Sequence, residues 1–154
     1  MKIRIGFVSN SSTSSFVLAG FDLGSDKDIS YEHIYTSITG KTKEEITQEM
    51  KDSKHDWYGE NVDNQSYRDE YIREEVWNDM EDYFDFLLAI HSGSESGVGD
   101  KVVIGKTLAR SGSMGDEWVD MEINMAQLIE ELDPLKQKLG NDSELKIFLG
   151  TELC

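Results

Sequence analysis

Residues 86–122 read FLLAIHSGSESGVGDKVVIGKTLARSGSMGDEWVDME. Three strand-like segments lie in this stretch: the apolar run Phe86–Ile90, the β-branched run Val102-Val103-Ile104 and the alternating segment Glu117–Glu122. Gly- and Ser-rich loops separate them. The first segment follows a helical pattern closely enough that the helix could run on into it. Strands that succeed one another in this way pair as a mixed or antiparallel sheet. The expected fold class is therefore α+β, with a sheet of about five strands and helices packed on one face.

Downstream, Met125, Leu128, Ile129, Leu132 and Leu135 return to helical spacing, with Asn124 as a cap. Pro134 is expected to break or restart that helix, because its ring removes a backbone donor. Leu145–Leu149 is a final strand. Upstream, Met1–Val8 alternate as a strand or an extended arm, and Ser9–Ser15 read as a polar loop. Phe16–Phe21 form a buried strand. A short helix is expected over about 30–38 and ended by Gly40. A second opens near 43, where Thr42 and Glu45 make a capping box, with Ile46 and Met50 facing inward. Residues 54–65 read as a loop.

The clearest helix runs from about Tyr67 to Tyr83. Ile72, Val76, Met80, Tyr83 and Phe84 recur at helical spacing, and Tyr71 and Trp77 widen the stripe. Glu70, Glu74, Asp79, Glu81 and Asp82 lie mostly on the other side. No repeat and no linker interrupts the chain, so a single domain over 1–154 is expected, with 1–15 as an N-terminal arm and Ser/Thr-rich loop.

At 154 residues, a folded chain buries about 70% of the surface it exposes when unfolded, enough for a core without disulfide or metal. The apolar fraction is 38%, but three tryptophans, six tyrosines and six phenylalanines supply large packing units. One proline argues against a disordered chain. The lone cysteine, Cys154, cannot form an internal bridge or a cysteine-based zinc site, and no prenylation box is expected. The serine run interrupts the N-terminal apolar residues too early for a secretory signal, and nothing is long enough to span a membrane. The expected location is the cytoplasm.

Net charge is −16. Residues 60–85 hold ten acids against Arg68 and Arg73, a local balance of −8. Such a chain is repelled by phosphates and by anionic membranes, and its natural macromolecular partners are basic surfaces.

The motifs that would carry chemistry are incomplete. Gly105-Lys106-Thr107 ends like a phosphate-binding loop, but Asp100 stands where the first glycine belongs and a strand occupies the loop's place. Gly97-Val98-Gly99 begins like a dinucleotide fingerprint, but Val102 takes the third glycine position. His33, His55 and His91 are scattered, no calcium-loop pattern is present and no nucleophile elbow occurs. No catalytic residue, metal ligand or cofactor is therefore assigned. The loop of Ser9, Asn10, Ser11, Ser12, Thr13, Ser14 and Ser15 could hold an anion or accept phosphate groups. The alternative is a polar turn between two strands.

Residues Gly6–Val17, GFVSNSSTSSFV, resemble an N-terminal signature of approximately GFVSNSSSSSF shared by many uncharacterised bacteriophage and bacterial proteins. Thr13 departs from the all-serine form. Val103–Thr107 and Gly115–Glu117 are faintly similar to a later strand and acidic turn of the same group. The resemblance implies a phage or mobile-element origin and carries no activity with it.

Together these features favour a non-enzymatic accessory protein that binds a host macromolecule, as an anti-defence or host-takeover inhibitor. Glu70, Glu74, Glu75, Asp79, Glu81 and Asp82 would imitate nucleic-acid phosphates toward a basic, nucleic-acid-binding host protein. Two alternatives stand beside it. One is a virion or assembly component that uses its N-terminal arm. The other is a small-ligand binder or enzyme that uses the Ser-rich loop.

Overall fold

The computed structural model describes residues 1–9, 13–92, 98–110, 115–140 and 142–153. The chain has an α+β fold, and its contacts gather into two compact units. One comprises residues 1–29, 86–137 and 141–154, and the other residues 30–85 with 138–140.

The first unit holds the strands: β1 (Lys2–Ser9), β2 (Thr13–Ser25), β3 (Leu88–Ser92), β4 (Lys101–Arg110), β5 (Gly115–Glu122) and β6 (Lys146–Leu153). Four of them form one sheet in the order β3-β4-β2-β6, while β1 and β5 form a separate two-stranded ribbon. Every pairing is antiparallel. The first eight-residue strand is thus paired along its whole length, from Lys2 opposite Glu122 to Ser9 opposite Gly115.

Phe16, Leu18 and Val103 are buried together, with Ala89, Val98 and Phe148 packed against them. His91 of β3 lies flat on Phe16, ring centroids 3.7 Å apart. Gly20 and Gly105 face each other across β2 and β4. A Cβ on either would strike the opposing backbone, so the two strands approach more closely than side chains would allow. The β2–β4 register shifts at Val17/Leu18 and again at Asp22/Gly24, whereas the β2–β6 register runs unbroken from Thr13–Leu153 to Gly20–Lys146.

Most of α5 (Met125–Leu139) belongs to this unit. Asn124 caps it, accepting the Gln127 N–H at 3.2 Å. Leu128, Leu132 and Leu135 are buried, and Glu131 meets Lys106 of β4 at 2.5 Å. The helix continues through Pro134 instead of breaking there. Pro134 is exposed, so its ring, which cannot donate to the carbonyl one turn earlier, lies on the solvent side of the helix.

The second unit is helical: α1 (Tyr31–Thr39), α2 (Lys43–Lys51), α3 (Asp56–Glu60) and α4 (Gln65–Tyr71). Both expected starts are formed. Ser30 accepts the His33 N–H, and Thr42 and Glu45 exchange bonds as a capping box. Gly40, at φ 74°, ends α1 in the left-handed conformation. Ile46 and Met50 are fully buried, each contributing about 1.5–3 kcal/mol by leaving water. The region 54–65 contains α3, a helix too short to show a period in sequence.

Beyond Tyr71 the helix does not keep one winding. Ile72–Val76 form a π-helical turn and Trp77–Tyr83 a tighter 3₁₀ segment. The reason lies in the spacing. Arg68, Ile72, Val76 and Met80 recur every four residues, and in a pure α-helix each such step drifts off the inner face by about 40°. The wider π turn takes up that drift. Arg68, Ile72 and Met80 are buried, and Val76 is half-buried between them.

Candidate functional site

The acidic face grows from α4. Asn64 caps this helix, accepting the Ser66 N–H at 3.0 Å. With the four-residue stripe turned inward, Glu70, Glu74, Glu75, Asp79 and Asp82 are left exposed, and Glu81 is half-buried. Arg73 is the one base among them, and it pairs with Glu74 at 3.3 Å while lying over the Tyr31 ring.

The six acids do not have one environment. Glu70, Glu74 and Glu75 lie toward the aromatic group of α3. The Tyr58 phenol is pushed up, first by burial and then by the charges of these three carboxylates. His55 stacks on Trp57 at 4.3 Å and places its Nε2 3.5 Å from Glu75. Trp57 is 48% exposed, a large apolar ring beside carboxylates. Tyr58 in turn meets Tyr71 edge-on. Asp79 lies elsewhere, accepting a long 3.4 Å bond from the Tyr35 hydroxyl. Tyr35 also accepts from Lys41 Nζ at 2.8 Å, and Lys41 pairs with Glu49 at 2.9 Å. Burial works against the charge on Lys41, but its bonds to Tyr35 and Glu49 outweigh it and raise its pKa above the usual lysine value.

The frame behind this face is a buried ion pair that sequence reading missed. The Arg68 guanidinium donates through Nε and Nη2 to the two oxygens of Glu32, at 2.7 and 2.6 Å. Its other N–H groups reach the Thr47 hydroxyl, the Val62 carbonyl and the Lys43 carbonyl. All five donors are taken, so α1, α2, the turn before α4 and α4 itself are tied to one planar group. The neighbouring Asp69 accepts the Glu32 N–H at 2.9 Å and the Ser30 hydroxyl at 3.1 Å, filling the start of α1. Arg68 counted in sequence only as one of two bases in an acidic stretch. An ion pair between distant segments leaves no local period to find.

The serine-rich run falls in the other of the two units. Ser9 ends β1, and Thr13, Ser14 and Ser15 begin β2, paired with Leu153, Glu152 and Thr151. Residues Asn10, Ser11 and Ser12 lie outside the described residues. Thr13, Ser14 and Ser15, expected in a loop, are thus strand residues, because pairing with β6 satisfies their backbone groups. Gly105, Lys106 and Thr107 are all within β4, leaving no phosphate-binding loop there.

Among the described residues, no three His, Cys, Asp or Glu side chains converge as a metal site, and no helix is long and apolar enough to cross a membrane. A cavity of about 200 Å³ opens between β4 and the start of α5, lined in part by Leu108, Leu128, Gln127 and Glu131. Glu131 there is already engaged by Lys106 and Gln127. No family model, curated protein or solved structure matches the chain.

Proposed function

We propose that this chain is an acidic accessory protein of bacteriophage type. On this reading it acts in the host cytoplasm by occupying the basic surface of a nucleic-acid-binding host protein. The observation that carries the reading is the row of exposed carboxylates at Glu70, Glu74, Glu75, Asp79 and Asp82 on one continuous helical segment, countered only by Arg73. Carboxylates already presented on helical turns meet a basic groove with little further ordering, which favours fast, charge-steered association. Half-buried Glu81 has a smaller part in this than its neighbours. The same charge keeps the protein off nucleic acid and off anionic membranes.

The test is capture from host lysate on the immobilised protein, with elution along a salt gradient. A stoichiometric nucleic-acid-binding protein released by salt is the expected result. A variant carrying Glu70→Gln, Glu74→Gln, Glu75→Gln and Asp82→Asn should then lose that protein or release it at much lower salt. Unchanged retention and unchanged salt dependence in the variant would overturn the reading.

A further inference from the structure

Strand β6 ends the four-stranded sheet, and among the described residues nothing pairs with its outer edge. The opposite end of the sheet is closed by β3, whose five residues offer little to pair with. By contrast, β6 has eight residues, no proline and no bulge along its pairing with β2. Free edges of this kind are usually blunted by charge, proline or bulges, because they template pairing with another strand. Here Leu149, near the middle of the strand, is 55% exposed.

The sequence of this edge, Lys146-Ile147-Phe148-Leu149-Gly150-Thr151-Glu152-Leu153, is complementary to itself when reversed about Leu149. In that antiparallel register Lys146 stands opposite Glu152 of the second copy, and by symmetry the same pair forms again on the other side. Phe148 stands opposite Gly150, an arrangement in which an aromatic ring covers the gap over a glycine. Leu149 meets its own counterpart on the two-fold axis. One basic and one acidic position per strand, placed at equal distance from an apolar centre, is what an isologous contact needs. In a chain of net charge −16, this strand is also a segment whose own charges cancel.

We infer that β6 is a homodimerisation edge, joining two copies of this chain into a continuous antiparallel eight-stranded sheet centred on Leu149. The inference is independent of the acidic face and of any host partner.

Two measurements test it. In the first, Leu149→Cys is made in a Cys154→Ser background and the full chain is oxidised gently. Opposed residues of an antiparallel pair lie within disulfide reach, so a covalent dimer should form readily. In the second, the mass of the native chain is followed by sedimentation equilibrium over a concentration series. A monomer–dimer equilibrium is expected, weakened roughly tenfold or more by Lys146→Glu or by Glu152→Lys alone, since each sets like charges opposite one another twice. The double reversal should restore it. Circular dichroism confirms that each variant is folded. A native chain that stays monomeric throughout, or a double reversal that dimerises no better than the single ones, would overturn the inference.

Discussion

Glu32 and Arg68 face each other as a two-pronged ion pair, with Arg68 only 1% exposed and no N–H of its guanidinium left unbonded. Both charges have left water, so the pair is stable only while it is complete. Arg68→Ala should therefore destabilise the protein by about 3–5 kcal/mol, most of it the penalty of a stranded Glu32 carboxylate. Urea denaturation checks this. A joint Glu32→Leu and Arg68→Met replacement should be less damaging than either single change, since it removes both charges together.

The same pair predicts an acid-side loss of stability. The Arg68 hydrogen bonds hold the Glu32 carboxyl below its ordinary value of 4.5, and the bond from Gln65 assists them. A lowered folded-state pKa means that the unfolded chain takes up the proton first. The stabilisation is thus complete above about pH 4.5, and it declines as pH falls through the folded value. Equilibrium unfolding at a series of pH values from 7 to 3 should show this decline, and Glu32→Gln should flatten it.

On the alkaline side the sign reverses in origin but not in outcome. Burial, with Glu49 next in importance, pushes the Tyr71 phenol from 10.0 up to about 12. The unfolded chain releases that proton near pH 10, so stability is full below pH 10 and is lost as pH rises toward 12. Ultraviolet titration should find late-titrating tyrosines, since burial raises Tyr35 and Tyr58 as well, and Tyr71→Phe should remove the one near 12.

How much of this was open to sequence reading depended on how local each signal is. The helix start near residue 30, the capping box at Thr42, the terminator at Gly40 and the strand runs at Phe16 and Val102 each sit within a few residues, and each formed. The inward stripe through Ile72 and Met80 was equally visible, but its four-residue step concealed the change of winding that keeps it buried. The ion pair at Arg68, the separate β1–β5 ribbon and the strand made by Thr13–Ser15 all depend on partners many residues away. Composition pointed to the acidic face as a place of interest. The aromatic group of His55, Trp57 and Tyr58 beside it was hidden in a stretch that reads as polar loop.

Gly20 and Gly105 lend themselves to a direct packing test. A methyl group at either position would be driven into backbone, which cannot swing aside as a side chain can. Gly105→Ala should cost about 1–3 kcal/mol, as overpacking in a tight core does. Gly24→Ala is a different control, where space is open and only the φ of 105° resists. Thermal unfolding of the two variants separates crowding from backbone strain.

The central position of β2 also has a consequence for how the chain is made. Its two neighbours, β4 and β6, come from residues 101–110 and 146–153, so β2 emerges from the ribosome with both edges bare. At ordinary synthesis rates the first neighbour follows only after roughly 4–15 s. The helical unit from Ser30 to Asp85 lies almost wholly within that interval of sequence and can organise through its own short-range contacts. The four-stranded sheet, by contrast, cannot be completed until β6 has left the ribosome, more than 120 residues after β2.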